Sequence, residues 1–448
     1  MKENKAGLPL AVSMVIGIVV GSGIFFKSDD VLSKVNGNFS LAIIAWIIGA
    51  VAMIFGALVI GTYASKISHA NGIIDYYEYT FGKKNKKLGE LFGYMIGSYS
   101  AILFYPALAA VISWVAGMYT TSLFYNGDVS NHKLTWILAT SYLLIIFLIA
   151  TLSKLLSEYI QVSSTILKLV PITIIVIFGI IIGFDNIDNF SASISKNSSY
   201  SFSFTGAVIA TAFSFDGWII ATTINDRLKH PKKDLPRALL IGTILIFAMY
   251  ILYFIGITSI VGVHSIINIK DNAVALAFTN ILGKSGSTLI LIFIIISCLG
   301  TVNGLIIATS RIYYQLAIRG HGLFPHLISK INPHTKTPVI SSLIGFIISL
   351  FMLFVWYSNY NPNILINKFV DISSLPIVLN YISFSVLYIA AMFQFKDLSL
   401  TRRFVFPILA LLGASIIIYG GFLDESIFLY LIISFIIILT TLIFFKKT

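Results

Sequence analysis

Twelve stretches of the sequence are apolar over about 20 residues or more, the length that a helix needs to cross the hydrocarbon core of a bilayer. Hydrophobic residues make up 57% of the chain and charged residues only 11%, which is not the composition of a water-soluble globule. Because lipid offers the backbone no hydrogen-bond partners, each stretch must form a helix. The sequence therefore predicts an all-α integral membrane protein with 12 transmembrane helices, at residues 9–33, 40–64, 90–124, 134–153, 158–184, 202–225, 237–262, 286–317, 338–357, 369–393, 404–421 and 426–445.

The distribution of basic residues predicts the orientation of these helices. If the N-terminus is cytoplasmic, the inner segments hold 22 of the 30 Lys and Arg residues, the outer segments hold 7, and Lys168 lies inside a helix. This asymmetry follows the positive-inside rule, so the net charge of +12 needs no nucleic-acid partner. We therefore expect a multi-pass protein of the cell membrane, surrounded by lipid, with both termini in the cytoplasm.

Cysteine and histidine indicate which chemistries the membrane region lacks. The only cysteine, Cys298, lies inside the eighth stretch, and all seven histidines lie in loops or at helix ends. A haem or histidine–zinc site within the membrane would need histidines in mid-helix. The sequence also has no filter-like TVGYG segment and no pair of carboxylates at membrane depth. We expect no cofactor, no metal and no enzymatic activity.

Two of the apolar stretches are interrupted by glycine. The first contains Gly21, Ser22 and Gly23 in GIVVGSGIFF, and the sixth contains Asp216 and a glycine in FSFDGW. Broken segments at corresponding positions of two halves are typical of transporters built from inverted repeats. An unwound backbone presents N–H groups to a carboxylate and C=O groups to an ammonium. The two breaks therefore predict a binding site for an amino acid. Simple helix packing is the alternative, because Gly17 and Gly21 form a GxxxG pair.

Two charged residues lie at membrane depth. Lys168 is ten positions beyond Glu158, about 15 Å along a helix, and Asp216 is ten positions from Asp226. A charge at this depth is unfavourable unless it faces the protein interior and has partners, so a function is expected for both. The alternatives are a lysine whose ammonium snorkels to the interface and a structural ion pair between Lys168 and Asp216.

Several motifs resemble those of the amino acid–polyamine–organocation superfamily: GSGIFF in the first stretch, the lysine of the fifth, AFSFDGW in the sixth, RLKHPKKDLPRAL after it and GTVNGLIIATSR in the eighth. Over about residues 8–345 the chain is most similar to the L-amino-acid transporter branch, particularly its bacterial members. The resemblance implies the leucine-transporter fold in one membrane domain (1–448), with helices 1 and 6 unwound at mid-membrane. Residues 8–185 and 200–393 would form inverted repeats of five helices each, and residues 404–446 would add two helices.

The resemblance also implies a substrate site at the two breaks. The positions carried over are Val19, Gly21, Ser22, Gly23, Ile24, Phe213, Ser214 and Asp216. In the family, amides matching Ser22, Gly23 and Ile24 meet the substrate carboxylate, and carbonyls matching Val19, Phe213 and Asp216 meet its amine. The ring of Phe213 resembles the family's gate over the substrate. Lys168 matches the lysine that occupies the place of a sodium ion in sodium-coupled relatives.

The chain departs from the family pattern in three places. Arg227 stands where an acidic residue is usual, and NGIIDYYEY lacks the usual double glycine. The outer loop YNGDVSNHK lacks the cysteine through which animal members bind a heavy subunit, so no disulfide-linked subunit is expected.

These features together predict a secondary transporter of L-amino acids. The resemblance implies a sodium-independent exchanger of small neutral ones. The alternatives are a proton-coupled symporter that uses Lys168 and a transporter that selects cationic amino acids through Asp216. A membrane channel or sensor is an alternative of another class, although neither a continuous polar stripe nor a ring of charges is visible.

Overall fold

The structure is a computed structural model that describes residues 7–21, 23–67, 72–125, 128–183, 202–361, 372, 375–423 and 427–445. The regular secondary structure of the described ranges is helical, and these ranges contain no β-strand. The α-helices are α1 (Leu8–Val19), α2 (Gly23–Phe26), α3 (Ser28–Lys34), α4 (Phe39–Lys66), α5 (Ile73–Gly82), α6 (Lys86–Tyr99), α7 (Tyr105–Phe124), α8 (His132–Leu152), α9 (Lys154–Gly183), α10 (Phe204–Phe215), α11 (Pro231–Val261), α12 (Val263–Ile269), α13 (Ala273–Leu282), α14 (Lys284–Ile318), α15 (Pro325–Ile328), α16 (Val339–Ser358), α17 (Leu375–Gln394), α18 (Phe406–Phe422) and α19 (Ile427–Leu442).

Ten helical segments in these ranges are long and apolar enough to cross a membrane, so the chain is a multi-pass membrane protein. An eleventh is present if the first predicted helix crosses as one span. Its two parts, Ala11–Phe26 and Ser28–Lys34, meet at an angle of 54°. The twelfth predicted helix corresponds to α19, which is apolar but has only 16 residues. The described residues therefore support ten or eleven spans of full length, rather than the twelve that the sequence predicts.

The helices divide into a covered centre and a lipid-facing periphery. In the most apolar windows of α6–α7, α10 and α14, between 72% and 89% of residues are buried inside the protein. In α8, α9, α16 and α18 the buried share is only 33–39%, and rows of Ile, Leu and Phe side chains point outward. Apolar faces of this extent need lipid around them, so these four helices form the outer surface.

Close helix contacts depend on small residues, as is usual where lipid provides no hydrophobic driving force. Gly179 of α9 and Gly256 of α11 touch backbone to backbone, and a Cβ on Gly256 would lie 2.6 Å from the carbonyl oxygen of Ile175. The hydroxyl of Ser259 donates to the Gly179 carbonyl at 2.8 Å across the same contact. Glycine and serine therefore fix α9 against α11.

Ion pairs connect the helices at the end of the bundle that the sequence predicts to be cytoplasmic. Arg319, just after α14, bonds Asp75 at 2.5 Å and Glu78 at 2.8 Å, both in α5. Burial raises the pKa of Glu78, and the guanidinium of Arg319 opposes this shift. Lys66 at the end of α4 pairs with Asp397, beyond α17. Charged contacts therefore join α4, α5 and the segments after α14 and α17 at this end of the bundle.

We expect Gly256→Ala to lower the stability of the protein by about 1–3 kcal/mol, because the added methyl group must displace the backbone of α9. The measurement is the thermal unfolding midpoint of the purified protein in detergent. Gly82→Ala is the control, since a Cβ at Gly82 meets nothing closer than 3.8 Å. Equal midpoints for Gly256→Ala and the unmodified protein would contradict the close contact of the two helices.

Candidate functional site

The first break in the chain lies between α1 and α2. Helix α1 ends at Val19, and the amide of Gly21 donates to the Val19 carbonyl at 2.7 Å. The hydroxyl of Tyr250, from α11, donates to the same carbonyl at 3.0 Å. Helix α2 then begins at Gly23. Both lone pairs of the Val19 carbonyl thus have a donor from within the protein.

The second break follows α10, which ends at Phe215. The amide of Asp216 donates to the carbonyl of Phe213 at 3.3 Å, and Gly217 has a φ of 101°. This left-handed conformation strains residues with a side chain, so glycine lets the chain leave α10 at this point. The chain continues as a 3₁₀ helix over Trp218–Arg227.

The two breaks contact each other at Gly23. A Cβ on Gly23 would lie 2.9 Å from the Cα of Ser214, closer than packed atoms allow. Beside this contact is a cavity of about 30 Å³, which is room for about two water molecules and not for an amino acid. The cavity is lined by Ile18, Val19, Gly21, Gly23, Leu108, Ile112, Phe213, Ser214, Asp216, Gly217, Ile220, Thr301 and Leu305.

The structure brings most of the predicted binding positions to this cavity. Six of the eight line it, namely Val19, Gly21, Gly23, Phe213, Ser214 and Asp216. Ile24 is fully buried in α2 but does not line the cavity. Ser22 lies outside the described residues. Two segments separated by almost 200 residues in the sequence therefore form one wall.

Sequence patterns did not predict the opposite wall. Leu108 and Ile112 come from α7, and Thr301 and Leu305 come from α14. An apolar residue inside an apolar helix carries no signal that separates a cavity wall from lipid-facing or packed positions. Thr301 and Leu305 both lie in the GTVNGLIIATSR motif, and Thr301 is the polar residue of the two.

Asp216 is a buried carboxylate without hydrogen-bond partners. It is 7% exposed, and neither carboxylate oxygen accepts a hydrogen bond of good geometry, although the Gly217 amide lies nearby. The phenols of Tyr381 and Tyr388, from α17, interact with it electrostatically. A buried polar group that lacks a partner is unfavourable, so the carboxylate can receive a donor.

Lys168 links three helices in the interior of the protein. Its side chain is fully buried, and its ammonium donates to the Gly17 carbonyl at 2.6 Å and to the Thr301 hydroxyl at 2.9 Å. The ammonium is therefore directed at α1 and α14 and not toward the interface, which excludes the snorkelling lysine. No hydrogen bond joins it to Asp216, whose oxygens have no partner, which excludes the structural ion pair.

Comparison with known proteins identifies similar sequences along nearly the whole chain. The profile of a family described as amino acid permease matches residues 7–445. The serine/threonine exchanger SteT of Bacillus subtilis (strain 168) is 31% identical over 358 residues, 80% of this chain and 77% of that protein. The cystine/glutamate transporter of Homo sapiens is 25% identical over 79% of this chain and 68% of its own. The b(0,+)-type amino acid transporter 1 of Mus musculus is 26% identical over 75% and 67%.

We expect Lys168→Ala to destabilise the folded protein by about 2–5 kcal/mol, because it leaves a cavity and a buried carbonyl without its donor. The thermal unfolding midpoint in detergent measures the effect. Thr301→Val removes one of the two acceptors of the Lys168 ammonium, so it should lower the unfolding midpoint less than Lys168→Ala does. Lys284→Ala, at an exposed position at the start of α14, is the control. A Lys168→Ala protein as stable as the control would show that the two hydrogen bonds are dispensable.

Proposed function

Because this chain belongs to the amino acid permease family, within the amino acid–polyamine–organocation superfamily, we propose that it exchanges small neutral L-amino acids across the cell membrane without sodium. The relatives that it resembles are named as exchangers and transporters of amino acids, so the activity is transport and not enzyme chemistry. The observation that carries the proposal is the contact of two helix breaks beside one small cavity.

The substrate carboxylate is assigned to the start of α2. The amides of Gly23 and Ile24 lie in its first turn, where helix amides have no partner one turn earlier and attract negative charge. The family resemblance assigns the amide of Ser22 to the substrate carboxylate as well. The substrate ammonium is assigned to the carbonyls of Val19 and Phe213, where α1 and α10 end.

The other walls favour a small neutral side chain. Ile18, Leu108, Ile112, Ile220 and Leu305 make most of the lining apolar. The hydroxyls of Ser214 and Thr301 add limited hydrogen-bonding capacity. A cavity of about 30 Å³ is too small for alanine, so its walls must separate before a substrate can bind. Phe213 then acts as the gate.

Lys168 accounts for sodium independence in this proposal. A sodium ion in such a transporter is held by oxygen atoms of an unwound helix and its neighbours. The ammonium of Lys168 contacts oxygens of this kind, the Gly17 carbonyl and the Thr301 hydroxyl. The positive charge is thus part of the chain and need not be taken from solution.

The finer architecture is part of the same proposal. We assign twelve transmembrane helices, two inverted repeats at residues 8–185 and 200–393, two further helices at 404–446, and both termini to the cytoplasm. Cys298 is the only cysteine of the chain and is buried in α14. A disulfide-linked subunit would need an exposed thiol, so the transporter works without one.

Asp216 favours a second candidate function, the transport of cationic amino acids. Its carboxylate lines the cavity and lacks a hydrogen-bond partner, and a guanidinium or ammonium side chain would supply one. If so, arginine should compete with labelled serine, and the competition should be lost in Asp216→Asn. Proton-coupled symport through Lys168 is the remaining alternative, and it requires uptake that follows an imposed pH gradient.

We expect Gly23→Val to abolish exchange while the protein still inserts into the membrane, because the side chain would occupy the contact with Ser214 and crowd the amides of α2. The measurement is counterflow of labelled serine or alanine in proteoliposomes that contain unlabelled amino acid. Gly7→Ala, whose Cβ meets nothing closer than 3.7 Å, should exchange normally. Normal exchange kinetics in a folded Gly23→Val protein would refute the assignment of the substrate carboxylate to the start of α2.

We further expect counterflow to be unchanged when sodium is replaced by choline, because Lys168 supplies the charge permanently. Internal amino acid should accelerate uptake, whereas a pH gradient alone should not drive it. Lys168→Ala should lose most of the exchange. A strict sodium requirement in the unmodified protein would show that the lysine does not replace the ion.

A further inference from the structure

A second cavity, of about 420 Å³, lies beyond the small cavity along α14. Sites that hold small molecules have volumes of about 300–1,000 Å³, so this cavity is large enough for an amino acid. Its lining includes Ile318, Ile331 and Lys336, which are exposed. The residues that line the small cavity are all buried. The large cavity therefore reaches the protein surface, at the end of the bundle that the sequence predicts to be cytoplasmic.

The two cavities adjoin along two elements of the structure. Helix α14 contributes Leu305 to the small cavity and Ile306 to the large one. The 3₁₀ helix that follows the second break contributes Ile220 to the small cavity and Thr223 to the large one. Both elements therefore run from one cavity to the other. An amino acid that moves between the cavities would pass between α14 and the 3₁₀ helix.

A hydrogen bond joins these two elements beyond the small cavity. The Nη1 atom of Arg311 in α14 donates to the carbonyl of Thr223 at 3.0 Å. Arg311 lies about 9 Å beyond Leu305, at a rise of about 1.5 Å per residue of α-helix. Thr223 lies about 6 Å beyond Ile220, at a rise of about 2.0 Å per residue of 3₁₀ helix. The bond therefore opposes separation of α14 from the 3₁₀ helix on the side of the large cavity.

We propose that Arg311 is a gating residue, whose hydrogen bond to Thr223 closes the route from the substrate site to the cytoplasm. The proposal rests on the proposed function, since it takes the small cavity as the substrate site. Separation of α14 from the 3₁₀ helix would connect this site to the large cavity. The large cavity suits a zwitterion, because residues of both charges line it, among them Glu158 and Lys336. A charged donor makes the hydrogen bond stronger than a neutral one would be.

The test is the rate at which a thiol in the small cavity is modified from each side of the membrane. Cys298→Ser removes the only cysteine of the chain, and Ile220→Cys introduces a thiol where the small cavity is lined. A membrane-impermeant thiol reagent is added to right-side-out and to inside-out vesicles. Arg311→Met in this background should accelerate modification from the cytoplasmic side about tenfold, as expected for the loss of a hydrogen bond with a charged donor. Modification from the external side should not accelerate.

Two further variants and a substrate serve as controls. Lys336→Met removes another cation from the lining of the large cavity, at its exposed rim, and should leave both rates unchanged. Arg311→Gln, whose side chain is shorter and uncharged, should give the same acceleration as Arg311→Met. It replaces Arg311→Met if that protein does not fold. Serine should slow the modification, because it occupies the cavity that holds the thiol.

Equal rates with and without Arg311→Met, in a protein whose thiol is still protected by serine, would overturn the inference. Equal acceleration from both sides would also overturn it, because a loosened fold has this effect and a gate on one side does not. If no neutral amino acid slows the modification, with or without Arg311→Met, the proposed function itself fails. This outcome is distinct from the other two, since it does not depend on the residue at position 311.

Discussion

In the interior of the bundle, one ammonium group joins three helices: Lys168 of α9 donates to Gly17 of α1 and to Thr301 of α14. Hydrocarbon cannot solvate a charge, so the ammonium must keep these oxygen partners and the helices that carry them. Helix α1 ends two residues after Gly17, and Gly21 then packs against Thr301, with an added Cβ only 3.1 Å from its hydroxyl. The position of the first break, and hence of the cavity, follows from this contact.

Helices α9 and α14 are also joined, further along, by uncharged polar groups. Ser157 of α9 donates to the side-chain oxygen of Asn303 at 2.7 Å, and the Asn303 amide donates to Gln161 at 3.2 Å. Gly300 allows close approach, because a Cβ there would overlap the hydroxyl of Ser164. Hydrogen bonds and close packing at a glycine therefore join α9 to α14 along this segment.

How much the sequence predicts depends on how unusual a residue is for its surroundings. Glycines and a carboxylate inside apolar stretches predict interruptions near the places where α1 and α10 end, and Lys168 is conspicuous as the charge between Glu158 and Asp185. The partners of these residues could not be predicted in the same way. Gly17, Thr301 and Tyr250 are ordinary in membrane helices, and only packing in three dimensions places them together.

The number of membrane spans was harder to derive, because hydropathy does not report where a helix ends. A bend divides the first predicted span, and α19 ends at Leu442 after 16 residues. The inverted repeats and the cytoplasmic termini stay predictions, since they rest on spacing and charge asymmetry.

The carbonyl of Val19 has a consequence for how tightly any ligand can be held. Its oxygen accepts hydrogen bonds from the Gly21 amide and from the Tyr250 hydroxyl. A ligand ammonium that reaches this oxygen replaces a phenol that was already bonded, so binding gains only the difference between two hydrogen bonds. The Tyr250 hydroxyl thus donates to the same oxygen that a ligand amine would use. When the protein itself donates a hydrogen bond to an atom of the binding site, the affinity for the ligand stays moderate. A moderate affinity allows the ligand to leave on the other side of the membrane.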